Sequence, residues 1–120
     1  MSTGFEDLGF EAVHIGVNCE DDLEAGKTAE FFAKFFAFPL KEGNSSIFAS
    51  PFIEIMKGDG RGKHGHIAIG TSDLLKAQKY IEEQGLVFDP ESVKYNSEGE
   101  PILIYLKEEI AGFAVHLLQK

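Results

Sequence analysis

The sequence predicts an α+β fold in which one unit, a strand, a helix and three further strands, is written twice within a single domain. Three observations lead there. The stretch HIGVNCEDDLEAGK, beginning at His14, is echoed by HIAIGTSDLLKAQK, beginning at His66. Each copy passes from an alternating apolar segment through an acidic turn into a segment with helical spacing, and short strand-like runs follow. At 120 residues and 43% hydrophobic content, the chain suffices for one cooperative core and is too short for two ordinary domains.

The first unit, residues 12–57, opens on a strand at His14. The acidic residues Glu20, Asp21, Asp22 and Glu24 mark a helix start, where negative charge meets the positive end of the helix dipole. Leu23, Phe31, Phe32, Phe35 and Phe36 gather on one helical face, and Pro39 stops the helix. Short strands follow at 38–41, 46–50 and 52–56. Residues 58–64 hold three glycines and read as a flexible connection. The second unit, residues 65–119, repeats the order. A strand starts at Gly65, and Leu74, Ala77, Tyr80 and Ile81 share a helical face closed by Gly85. Strands are expected at 87–88, 102–106 and 113–119, with KYNSEGE at 94–100 as an exposed turn.

Charge and cysteine content exclude several roles. Eleven basic against 20 acidic side chains give a net charge of −9, which repels nucleic-acid phosphates and anionic bilayers. No basic segment with a following apolar run opens the chain, and no run approaches the roughly 18 apolar residues a membrane span needs. A soluble cytoplasmic protein is expected, and the lone Cys19, without an internal disulfide partner, fits a reducing compartment. Cys19 has no evident base beside it and reads as structural.

Strand alternation says which way each polar residue points. In the first strand Val13, Ile15 and Val17 form one face, while His14 shares the other with Ala12, Gly16 and Asn18. At Gly65, Ile67 and Ile69 oppose His66, Ala68 and Gly70. In FIEIM, Ile53 and Ile55 oppose Glu54; in FAVHLLQ, Phe113, Val115 and Leu117 oppose His116. If the second faces line one concave surface, His14, Glu54, His66 and His116 converge there, with small neighbours leaving room for an ion and a ligand. Each residue alone is more simply an interior group hydrogen-bonded to backbone or water. Their joint placement, two from each unit, favours a shared metal. Three imidazoles and a carboxylate suit zinc, nickel, cobalt, manganese or iron, and suit calcium poorly.

These residues resemble the vicinal oxygen chelate superfamily, which includes glyoxalase I, methylmalonyl-CoA epimerase, fosfomycin-resistance proteins and extradiol dioxygenases. The resemblance covers nearly the whole chain. It implies paired βαβββ modules curving into a partly open mixed sheet, a half-barrel with helices outside, and metal ligands at His14, Glu54, His66 and His116. AGFAVHLLQ looks like the closing motif of such proteins, with a histidine, His116, where a glutamate is usual. GNSSIFAS, IEIMK, GHIAIGT and AGFAVHLLQK are similar to stretches of small chelate-fold domains found alone or fused to 2-keto-3-deoxy-6-phosphogluconate aldolase. The chain has no room for the aldolase barrel, so aldolase activity is not implied.

The expected function is a metal-dependent, glyoxalase-like lyase or isomerase step on a small oxygenated substrate, a keto acid or sugar-acid fragment, with Glu54 as ligand and catalytic base. The alternative is a non-catalytic metal- or small-molecule-binding module, an accessory to sugar-acid aldolase metabolism. Asn44 and Ser46, beside a strand, and Arg61 and Lys63, in the connection, are candidate substrate contacts. His64 gives HGH a cupin look, but Ile69, Gly70 and Thr71 stand where a cupin needs a glutamate. The open edges of the two modules need partners, within the chain or from a second copy, and a homodimer is expected.

Overall fold

The computed structural model of the protein describes residues 6–120. A strand β1 (Glu11–Asn18) leads into α1 (Asp22–Phe36), and β2 (Leu40–Glu42), β3 (Ser46–Ala49) and β4 (Ile53–Met56) complete the first module. The second comprises β5 (Gly65–Thr71), α2 (Leu74–Glu83), β6 (Lys94–Tyr95), β7 (Pro101–Tyr105) and β8 (Phe113–Gln119). All eight strands form one mixed sheet in the order β2-β3-β4-β1-β5-β8-β7-β6. Each module therefore occupies one half, and the halves meet where β1 runs antiparallel to β5. The inner edges of the modules pair within the chain.

The helices begin alike. Asp21 and Asp73, each seven residues after the histidine that opens its copy, cap them by accepting from the backbone N–H of Glu24 and Lys76. Glu24 also accepts from the N–H of Glu20, so the acidic cluster is a cap. α1 ends before Pro39: Ala37 takes a left-handed conformation (φ 57°) and donates to the carbonyl of Ala33, while the N–H of Phe38 reaches that of Phe32.

The helices lie on one face of the sheet. Ala25 and Ala29 of α1 pack with Cys19, Ile47, Ala49 and Ile55, and Leu74 and Ala77 of α2 pack with Leu8, Phe88, Ile104 and Leu117. Cys19 is thus a core residue whose thiol pKa burial pushes up. α1 rests on β3 and β4, and α2 on β7 and β8. Among the described residues no helix is long and apolar enough to cross a membrane.

Two local expectations change. The run at 87–88 makes a single bridge, Phe88 to Leu106, because Asp89 caps a 3-10 turn at Pro90–Ser92 that turns the chain away. The pairing strand is β6, cut from the expected turn at 94–100. The second change is a bulge in β1 between Ala12 and His14. It pairs Ala12 with Ile69, putting Ala12 on the helix side, and turns Val13 toward Gly70, where an added Cβ would lie 2.9 Å from Val13 Cγ2. Gly70 therefore makes room for Val13 and Lys120 rather than for a ligand.

Candidate metal centre

The register of the four central strands builds the site. Gly16 on β1 lies between Glu54 of β4 and His66 of β5, and Ala68 on β5 lies between His14 of β1 and His116 of β8. Paired residues project to the same side, so the four polar side chains rise from the face opposite the helices. Gly16 is required there: a Cβ would sit 2.0 Å from His66 Cε1. Ala68, fully buried, separates His14 from His116 with the smallest side chain a strand can offer.

The candidate ligand atoms meet. His14 Nε2 lies 3.1 Å from His66 Nε2, and Glu54 Oε1 is 3.3 Å from the first and 3.1 Å from the second. One ring nitrogen of His116 joins those of His14 and His66, all within 4.8 Å of one another. Glu54 Oε2 accepts from Ser46 Oγ at 2.7 Å. Bonds from His14 and His66, with that of Ser46, hold the Glu54 carboxyl well below the usual carboxylate range despite partial burial. His116, nearly inaccessible to solvent, is held down to about 4 by burial, with the neighbouring imidazoles adding to the effect. Its Nδ1 lies 3.2 Å from the Leu117 carbonyl, which only accepts, so Nδ1 bears the proton and Nε2 keeps a lone pair.

The donor set fits a divalent cation. Protons can satisfy at most two sides of the triangle formed by two neutral Nε2 atoms and one carboxylate oxygen. With both nitrogens donating to Glu54, their N–H groups face each other across the third side. A cation among the three satisfies every side, and atoms bound at 2.0–2.2 Å to one ion stand about 3.0–3.5 Å apart, as these do. Among the described residues His66 Nδ1 is buried without a hydrogen-bond partner, so no contact there fixes which of its ring nitrogens carries the proton.

A cavity of about 520 Å³ opens from the cluster toward the second module, lined by His14, Glu54, His66, His116, Tyr105 and Arg61 among others. Tyr105 is the cross-strand partner of His116, their ring centroids 4.8 Å apart, and Arg61 lies over the Tyr105 ring at 4.5 Å. Burial raises the Tyr105 pKa. The connection carrying Arg61 is pinned: the Asn18 amide donates to the carbonyls of Gly60, Arg61 and Gly62 at 2.8–3.3 Å. Of the other candidate contacts, Ser46 is buried against Glu54, while Asn44 and Lys63 are exposed and outside the cavity lining. His64 packs near Phe113, apart from the cluster. Tyr105, Phe48 and the anchoring role of Asn18 escape sequence reasoning, because they follow from cross-strand register and loop path.

No protein-family model and no curated protein sequence matches the chain. Solved structures do. A hypothetical protein from Bacillus halodurans C-125 superposes with a TM-score of 0.66 at 16% identity over 93% of this chain and 95% of its own. Methylmalonyl-CoA epimerase from Mycobacterium tuberculosis matches with 0.66 at 17% identity, over 99% and 91%. A Streptomyces coelicolor methylmalonyl-CoA epimerase variant in complex with 2-nitronate-propionyl-CoA matches with 0.63 at 19% identity, over 92% and 94%. This chain has the epimerase fold. The paired-module half-barrel is thus shared across nearly the full length of each protein, at identities that speak for the fold alone.

Proposed function

We propose that the protein is a metal-dependent enzyme of the glyoxalase and epimerase type, transferring a proton on a small oxygenated acid that binds through two adjacent oxygens. The observation carrying this reading is the meeting of His14, Glu54 and His66 at 3.1–3.3 Å with His116 alongside. These four residues would hold one divalent ion, which supplies Lewis-acid polarisation of a carbonyl oxygen. Arg61, aimed over Tyr105 into the cavity and only loosely paired with Asp89 at 3.4 Å, would take the substrate's acid group. A keto acid or sugar-acid fragment meets these demands. The structural neighbours named as epimerases add support, since epimerisation removes and returns a single proton.

Glu54 is the one carboxylate in the cluster and therefore the candidate base. The bonds that lower its pKa make it a ligand first and a base only when its contacts with His14 and His66 loosen. The same lowering favours a second reading, metal binding without turnover. Metal analysis of protein purified without chelator or affinity tag tests the common premise, with about one ion per site expected. Turnover of 2-keto acids and sugar-acid fragments by the metal-loaded protein then separates the readings. In Glu54→Gln, an enzyme retains much of its metal and loses turnover; undiminished turnover removes Glu54 as the base.

The row Ile53, Ile15, Ile67 and Val115 crosses the helix face of the sheet, and Ile15 at its centre is 38% exposed. α1 sits over β3 and β4 and α2 over β7 and β8, so the middle of this row, Ile15 on β1 and Ile67 on β5, lies between the helices. A second copy is the proposed cover, giving a homodimer whose sites are each complete within one chain.

A further inference from the structure

A second cavity, of about 440 Å³, reaches the cluster from the side opposite Arg61. It is lined by Pro39, Leu40, Phe48 and Pro51, with Lys41 and Ser50, and it ends on His14. Its residues come from β2, β3 and the adjoining turns, at the first-module end of the sheet, whereas Arg61 and Tyr105 lie toward the second-module end. Phe48 is the cross-strand partner of Glu54, and its ring meets the His14 ring edge to face with centroids 5.5 Å apart. The four central strands thus carry donor atoms between an apolar groove on one side and a cavity with charged residues on the other. Both fall in the size range of small-molecule sites, roughly 300–1,000 Å³.

We infer that the groove is a subsite for an apolar arm of the substrate, an aliphatic chain or a ring attached to the chelating oxygens. This deepens the proposed function and rests on it. A molecule chelated beside His14 has its far side directed either at Arg61 or along Phe48. The continuity of the groove with the metal centre through His14 assigns the occupant: a substituent on the chelated molecule rather than a separate partner. The substrate class is accordingly an amphipathic oxygenated acid, with the acid group toward Arg61 and the hydrocarbon over Phe48.

Alkyl hydroxamates test this, because their two oxygens chelate a divalent ion whatever the chain attached. Affinities of acetohydroxamate, butyrohydroxamate, hexanohydroxamate and octanohydroxamate for the zinc-loaded protein are measured by calorimetry. Each added methylene buried in the groove tightens binding between about two- and fourfold. In Phe48→Ala the ratio of octanohydroxamate to acetohydroxamate affinity falls at least fivefold. That ratio is taken within one protein, so a change at the metal itself cancels, and acetohydroxamate binding reports an intact site. Affinity independent of chain length, with acetohydroxamate bound, overturns the groove and leaves the metal reading standing. So does a chain-length gain that Phe48→Ala leaves intact. Failure of every hydroxamate, acetohydroxamate included, overturns two-oxygen chelation at the bound ion and the subsite with it.

Discussion

Glu54 is engaged on both its oxygens: Oε1 meets two imidazoles and Oε2 accepts a hydrogen bond from the Ser46 hydroxyl. Ser46 is buried, so its hydroxyl orients the carboxylate instead of meeting substrate. Ser46→Ala removes that orientation without touching a donor atom, and metal affinity is expected to fall by about 10- to 100-fold, as measured by competition with a chromophoric chelator. Unchanged affinity means the carboxylate needs no such support. His116 makes the second residue-level case. Burial holds its folded pKa at about 4 against 6.5 for a free imidazole, so between those values the unfolded chain binds the extra proton. Stability of the metal-free protein is therefore expected to rise with pH through this window, with His116 contributing on the order of 3 kcal/mol between pH 4 and pH 7. Glu54, with its pKa depressed, contributes stability above the ordinary carboxylate value that is lost as pH falls below it. Urea midpoints from pH 7 to pH 4 on chelator-treated protein measure the sum. His116→Gln should flatten the limb between pH 6.5 and pH 4.5, and an equally steep limb in that variant assigns the slope elsewhere.

The glycine-rich connection shows how an element acquires a place its composition does not advertise. Gly58, Gly60 and Gly62 read as flexible, yet Asn18 ties down three carbonyls there, and a Cβ at Gly60 would sit 2.1 Å from Asn18 Oδ1. Glycine at 60 serves close approach, and the result is a fixed base for Arg61. Asn18→Ala is expected to cost about 2 kcal/mol and to speed amide exchange across residues 58–64 while β1 keeps its protection. Exchange unaltered in that segment means the loop is held by other contacts. The other elements show why some boundaries were readable and others were not. α1 and α2 announce themselves through Asp21 and Asp73 and through spaced apolar residues, all local signals. The short strands after α2 depend on pairing with β7 and β8, so Val87 and Phe88 looked like a strand while Lys94 and Tyr95 became one. The bulge at Val13 is likewise a property of the β1–β5 pair, which is why Ala12 was read onto the wrong face.

At the scale of the molecule, the duplication made the site legible before any register was known. His14 and His66 open equivalent strands, Glu54 and His116 close their modules, and alternation put all four on faces free of the helices. Which chain contributes each donor was beyond the sequence, because that depends on β1 meeting β5 of its own chain. The same meeting places Ile15 and Ile67 side by side, and the helices stand over the strands on either side, β3 and β4 and β7 and β8, leaving this centre thinly covered. Apolar side chains there gain roughly 25 cal/mol for each Å² they remove from water, so a second copy set against the row has a driving force that does not involve the metal. Sedimentation of the wild type at micromolar concentration should give twice the chain mass of 13.2 kDa. Ile15→Glu places a charge where two such rows would meet and should yield a monomer, since burying an unpaired carboxylate costs more than the contact returns. Each donor set lies within one chain, so that monomer should bind about one metal ion with little loss of affinity. A monomeric wild type removes the dimer, and an Ile15→Glu protein that still dimerises moves the interface off this face; a monomer that loses its metal couples the interface to the site after all.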